Sequence, residues 1–189
     1  VCSVFAYAIE SLTLFFLHRN VHLSFYASGF SLTNEKVSQA GILLILSSVL
    51  FNLINVWMEE GIFRGLFTKI LEGLSYRKSL FFIAFLFGIW HLVMPLRDYL
   101  QGESSLVNLI AMGIGYVILA GMMSIKWSLL YKMTGSLWFG LGDHFFNNLA
   151  SNLVHVISNS EADGLQIVRI LLWQLLSFAI VLWVYQKKN

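Results

Sequence analysis

Two adjacent carboxylates and an arginine, Glu59, Glu60 and Arg64, follow directly on an uncharged run over residues 40–58. A carboxylate can take a proton from water, and a nearby cation keeps a second carboxylate ionised. On a helix, residues i and i+4 share a face, so Glu60 is placed to pair with Arg64. Glu59 stands five residues from Arg64, roughly 140° around a helix that turns about 100° per residue. One carboxylate therefore has a built-in cation and the other does not. A charge inside an apolar span costs about 2.5–3.5 kcal/mol on insertion scales, which makes such a group a functional candidate. The plainer counterpart is a helix end at the membrane surface carrying a hydrated ion pair. Two further polar sets lie downstream: His91, four residues after Phe87, and His144, four residues before Asn148, with Asn152 and His155 continuing the stripe. A lone histidine on an apolar helix is more often a satisfied buried donor, and a polar stripe can be interhelical hydrogen bonding worth about 0.6 kcal/mol per contact. Together these groups supply a carboxylate, two imidazoles and a carboxamide from three helices. That inventory suits general-base hydrolysis: a carboxylate and a histidine activate water, while a second histidine and an amide stabilise an oxyanion. Four costly polar groups need a shared wet site, so Glu59, His91, His144 and Asn148 are expected to converge on one cavity. Asp143 points about 100° away from His144 and is expected outside that cluster.

The elements that must position these residues are helices. The 189-residue chain is 58% hydrophobic and only 12% charged, against about 25% charged in a soluble domain. Its mean hydropathy is +0.74. The expected fold is an all-α, polytopic transmembrane bundle of about six helices around a polar intramembrane cavity, which makes the protein integral to the membrane and multi-pass. The lipid is then a partner, while a net charge of +2 is too small to suggest nucleic acid. The single cysteine, Cys2, excludes an internal disulfide and a cysteine-based zinc site. Helices are expected over residues 1–17 (short for a span of about 20 residues), 38–58 with an amphipathic extension to 74, 79–94 with Pro95 as the stop, 106–131, 137–157 and 165–185. Glu10 on the first helix is expected to face a wet interior, and Gly113, Gly115 and Gly121 to give the fourth a smooth packing side. Residues 20–39 read as a polar connection, with Phe25, Tyr26 and Phe30 suited to the interface. Residues 97–105 read as a polar loop. Val1 is not an initiator methionine, so the first helix reads as cut short.

Loop charge sets an orientation. Lys69, Arg77, Lys78, Lys126, Lys132, Lys187 and Lys188 fall on one side; Arg19, Lys36, Arg97 and Arg169 fall on the other. The first side is expected to be cytoplasmic, with the glutamate doublet near that end of its helix.

The three motifs, Glu59-Glu60-Gly61-Ile62-Phe63-Arg64, Phe87-Gly88-Ile89-Trp90-His91 and His144-Phe145-Phe146-Asn147-Asn148, resemble those of the CPBP or Abi family. These are intramembrane endopeptidases that include the type II CAAX prenyl proteases and proteins tied to bacteriocin processing and immunity. The lead-in Thr134-Gly135-Ser136-Leu137-Trp138 is also similar, and the resemblance covers residues 40–153. It implies a catalytic helical core over 38–189, preceded by an N-terminal transmembrane helix and loop over 1–37. It implies that Glu59 is the general base, that His91 helps to hold the water, and that His144 and Asn148 form the oxyanion site. Glu60, Arg64 and Phe87 would support them. In a bacterium, the location would be the plasma membrane.

The resemblance leaves the metal question to the residues. No His-Glu-x-x-His pair is present, and the expectation is a glutamic-type enzyme with no required cofactor. A zinc ion, if bound, would take Glu59, His91 and His144 as ligands. The expected substrate is a membrane-associated peptide or protein; nothing in the sequence fixes a prenyl group. A non-catalytic immunity or peptide-binding protein of the same fold is the alternative, and loss of Glu59 or of either histidine would favour it; all are present. A transporter would show paired repeat halves, and no such symmetry is visible.

Overall fold

From Ile42 onward the uncharged run before the glutamate doublet is helical because little in it opposes a helix: it holds no proline, and its residues are mostly Leu, Ile and other apolar side chains that a bilayer accepts. The computed structural model describes residues 1–17, 19–27 and 42–188. In chain order the helices are α1 (Cys2–Phe16), α2 (Ile42–Ile70), α3 (Tyr76–Trp90), α4 (Val93–Leu100), α5 (Leu106–Thr134), α6 (Leu137–Leu153) and α7 (Gln166–Lys188). Short strands β1 (Val21–Phe25), β2 (Val154–Ser158) and β3 (Glu161–Ala162) complete the set. Four helical stretches, Ile42–Ile70, Tyr76–Leu100, Leu106–Thr134 and Gln166–Lys188, are long and apolar enough to cross a membrane, and α1 is a shorter apolar helix. The protein is a multi-pass integral membrane protein. Large apolar side chains such as Leu43, Phe51, Phe81, Ile118 and Trp183 are exposed, as lipid-facing side chains are, whereas a soluble monomer rarely shows large contiguous apolar patches. The expected start of the second helix at residue 38, the 37/38 boundary, Phe30 and Lys36 lie outside the described residues.

The chain forms two compact units: residues 1–57 with 142–180, and residues 58–141 with 181–189. In the second unit, α3 packs on α5. A Cβ at Gly88 would lie 2.8 Å from the Val117 carbonyl oxygen, so only glycine permits that approach. A Cβ at Gly113 or Gly121 would lie 3.4 Å from Leu92 or Ala84, whereas one at Gly115 would meet nothing within 4 Å; the smooth side of α5 is narrower than expected. Helix α5 ends where Gly135 takes φ +66°, which a glycine adopts without steric cost.

Pro95 does not stop a helix. The chain breaks earlier, with His91 and Leu92 bonding back three residues to Gly88 and Ile89. Pro95 then sits in the first turn of α4, where its missing N–H would have had no helical partner. Arg97 and Asp98, expected in a loop, lie on α4 and pair with each other.

In the first unit, the expected fifth helix stops at Leu153. Residues 154–158, rich in β-branched Val and Ile, form β2 instead. This strand pairs antiparallel with β1, Val21 opposite Ser158 and Phe25 opposite Val154, and then with β3. His155 is therefore on a strand and leaves the helical stripe. Tyr26, expected in the interface, is buried and stacks on the His155 ring with centroids 3.9 Å apart. Lys126 and Arg169, counted above as loop charges, are buried on α5 and α7; without them the charge bias keeps its sign.

Candidate active site

In the second unit, the glutamate doublet ends the α-helical part of α2, and Gly61–Leu66 continues it as a π-turn. The Phe67 N–H reaches back five residues to the Ile62 carbonyl. Turns of this kind within α-helices recur at functional sites. The widened turn buries both Phe63 and Arg64, neighbours that a regular helix would point about 100° apart. The Glu60–Arg64 pair is present at 3.3 Å, with both side chains buried. The angle expected between Glu59 and Arg64 assumed a regular helix and does not carry across the π-turn.

Arg64 sits in an aromatic enclosure: its guanidinium carbon lies 4.6 Å from the Phe87 ring centroid, 5.2 Å from Trp127 and 6.0 Å from Phe63. Such faces attract a cation, by about 2 kcal/mol when desolvated. Phe87, Phe63 and Trp127 also form the apolar core of this unit. Gly140 leaves room for the doublet, because a Cβ there would lie 3.3 Å from Glu60 Oε2.

Glu59 is buried, with 4% of its surface exposed, and its Oε1 accepts a hydrogen bond from Trp90 Nε1–H at 3.1 Å. Trp90 ends α3, next to His91. His91 Nδ1 lies 2.8 Å from the Phe87 carbonyl oxygen. A carbonyl only accepts, so Nδ1 carries the proton and Nε2 keeps its lone pair, the form that can accept a proton from water or bind a metal. The i−4 spacing of Phe87 thus has two uses: its ring faces Arg64 and its carbonyl fixes the tautomer of His91.

In the first unit, α6 carries Asp143, His144, Asn147 and Asn148. His144 and Asn147 are buried; Asp143 and Asn148 are partly exposed. Asn147 Nδ2 donates to Asn148 Oδ1 at 3.3 Å, and Gln174 Nε2 on α7 donates to Asn147 Oδ1. Asn152 donates to Asn52 Oδ1 at 3.2 Å, and Asn52 donates to the Ser48 carbonyl. Of the site residues expected from sequence, Glu59, Glu60, Arg64, Phe87 and His91 belong to the second unit, and His144 and Asn148 to the first. Among the described residues, no group of three His, Cys, Asp or Glu side chains could hold a metal ion. Trp90, Trp127 and Gly140 were not legible as site residues. Gln174 had a signal: it is an amide inside an otherwise apolar helical run.

The first unit holds a second polar cluster. Glu10, expected to face a wet interior, has 4% of its surface exposed. It is buried against Arg169, whose Nη1 donates to Glu10 Oε2 and whose Nη2 donates to Asp163 Oδ1 at 2.9 Å. Asp163 Oδ2 pairs with His155 Nδ1, and His155 Nε2 lies 3.1 Å from the Tyr26 carbonyl oxygen. Both ring nitrogens of His155 thus face acceptors, which suits a structural donor rather than a base.

Against known proteins, the model of the family described as type II CAAX prenyl endopeptidase, Rce1-like, matches residues 41–150. No curated protein matches the chain, and no solved structure does.

Proposed function

We propose that this chain, which belongs to the Rce1-like family of type II CAAX prenyl endopeptidases, hydrolyses peptide bonds of membrane-associated peptides or proteins with water activated by Glu59. The observation that carries the reading is the family match over residues 41–150, because all three motifs fall inside it. Glu59 takes the proton from water as it attacks the scissile carbonyl, and returns it to the leaving amine nitrogen as the tetrahedral intermediate collapses and the C–N bond breaks. The Trp90 N–H steadies Oε1 of that carboxylate. His91, protonated at Nδ1, presents Nε2 to accept from the same water. His144 and Asn148 donate to the oxyanion, where removing one donor typically costs about 10²–10³ in rate. Glu60 and Arg64 keep the first motif folded. No step is routed through a metal, and the enzyme is of the glutamic type.

The test is cleavage of a quenched membrane-associated peptide by detergent-purified protein. The wild type is expected to cleave, and to keep its activity after dialysis against a strong chelator. Glu59→Gln is expected to lose about 10²–10⁴ in rate with its thermal unfolding unchanged, since the amide keeps the shape but takes no proton. Full activity in Glu59→Gln would remove the base assignment. One equivalent of zinc by elemental analysis, with activity lost on chelation and restored by zinc, would replace this mechanism with one that uses the metal. A folded wild type that binds the peptide and never cleaves it would make the protein a binder.

A further inference from the structure

Gln174 has no exposed surface, and an amide buried in a transmembrane helix is costly unless it is hydrogen-bonded. Its Nε2 donates to Asn147 Oδ1, and Asn147 Nδ2 donates to Asn148 Oδ1. The three carboxamides form a directed chain of two links, each running from the nitrogen of one to the oxygen of the next. Direction matters because the two edges of a carboxamide are opposite in kind: one accepts, the other carries two N–H donors. If Asn148 serves an oxyanion, only its nitrogen edge helps; its oxygen edge would repel the developing charge. Asn148 lies partly exposed at the end of the chain, with its oxygen already turned back toward Asn147.

We propose that Gln174 and Asn147 are positioning residues that hold the Asn148 carboxamide with its N–H₂ edge presented to the oxyanion. This rests on the reading that Asn148 is an oxyanion donor. Gln174 acts on the reaction from α7 without touching substrate. Chains of hydrogen bonds polarise one another in a low dielectric, so donation by Gln174 also makes the Asn148 N–H groups better donors. A mere tie between α6 and α7 would work with the amides in either direction; the relay works in one.

The experiment uses the full chain in detergent with the quenched peptide, measuring kcat and KM separately, and a peptide phosphinate as a mimic of the tetrahedral oxyanion. Gln174→Met keeps the length and apolar fit but removes the donor; Asn147→Leu breaks the relay at its middle and stands in should Gln174→Met not fold. Each is expected to lower kcat about ten- to a hundredfold with KM within about twofold, and to weaken phosphinate binding by a similar factor. Asn148→Ala is expected to lower kcat at least as much, and Gln174→Met added to Asn148→Ala to lower it no further, because both act through one donor. If Asn148→Ala is impaired while folded Gln174→Met and Asn147→Leu turn over like wild type, or if the two losses multiply, the relay is overturned and the oxyanion reading stands. If Asn148→Ala itself keeps wild-type kcat, the oxyanion reading falls and takes the relay with it.

Discussion

Two arginines are fully buried among the described residues, Arg64 in one unit and Arg169 in the other, and they are held in opposite ways. Arg169 is held by forks: one nitrogen donates to Glu10, 159 residues away in the chain, and another to Asp163, with the Tyr7 ring 4.3 Å below the guanidinium. It ties α1, the segment after β3 and α7 together. Arg64 is held by rings. Its carboxylate partner is on its own helix, four residues back, and none of its guanidinium nitrogens makes a hydrogen bond among the described residues. What joins it to α3 and α5 is the faces of Phe87 and Trp127. The same contrast separates two carboxylates. Glu10 and Glu59 are equally buried, each 4% exposed. Glu10 is clamped by an arginine from a distant helix, whereas Glu59 accepts an indole N–H beside a π-turn. Burial alone marks an intramembrane carboxylate as a candidate; the partner's chemistry and origin decide whether it is a clasp or a reagent.

The largest expected stability effect is at the fork. Arg169→Ala takes the arginine from two carboxylates on different elements, stranding Glu10 and leaving Asp163 with His155 and the Val156 N–H, and breaking a buried pair typically costs about 3–5 kcal/mol. The upper end is expected here, read as a lowered midpoint in thermal unfolding of detergent-solubilised protein. Arg64→Ala strands only Glu60 and loses ring contacts, so the lower end is expected. Equal losses would break the comparison.

The second effect sharpens it. Because Arg64 and Glu60 pair within one helix, Arg64→Met combined with Glu60→Leu is expected to regain most of what Arg64→Ala loses, as apolar replacement of a whole buried pair is often neutral. Arg169→Met with Glu10→Leu is expected to regain less, since Asp163 still lacks its arginine. A double-mutant cycle on each pair by thermal unfolding checks this; similar recovery at both sites would erase the distinction between a local pair and a clasp.

The parts legible from sequence were those set by local chemistry. The helical class follows from apolar runs, and the Glu60–Arg64 pair follows from i,i+4 spacing, which survived even the π-turn. Other parts depend on contacts that no local pattern encodes. Residues 154–158 read as a helix end because the polar stripe seemed to reach His155; pairing with β1, more than 120 residues upstream, overrode it. Glu10 and Arg169 gave no sign of each other across the chain. Trp90 stands inside the second motif with nothing in its spacing to give it a role, although its indole N–H is the donor to Glu59. The two motif histidines were visible, but only the Phe87 carbonyl oxygen, 2.8 Å from His91 Nδ1, shows which of its nitrogens carries the proton.

The smallest effect concerns pH and belongs to the clasp. Asp163 lies between β3 and α7. Burial pushes its carboxyl up, but the His155 hydrogen bond, the Arg169 charge and the Val156 N–H together outweigh that and hold it below the ordinary 3.8. Glu10 and Tyr7 are the other titratable groups around Arg169. A carboxyl held low in the folded state binds its proton later than in the unfolded chain. Its contribution is therefore fully present above the unfolded value and is lost as pH falls from about 4 through the lower folded value. Asp163→Asn isolates the charge, because the residue sits at φ +56° and asparagine tolerates that left-handed region as well as aspartate. The amide is expected to cost on the order of 1 kcal/mol at neutral pH, as the charge-assisted bonds weaken. The thermal midpoints of wild type and Asp163→Asn, followed from pH 7 to pH 3, are expected to differ at the top of that range and draw together at the bottom. Part of the gap at pH 7 belongs to the fork at Arg169 and the rest to His155 and the Val156 N–H, so it should shrink when Arg169→Met is the background and persist in full when Arg64→Met is. A gap that stays constant down to pH 3 would mean that the Asp163 charge contributes nothing and that the clasp is held by shape alone.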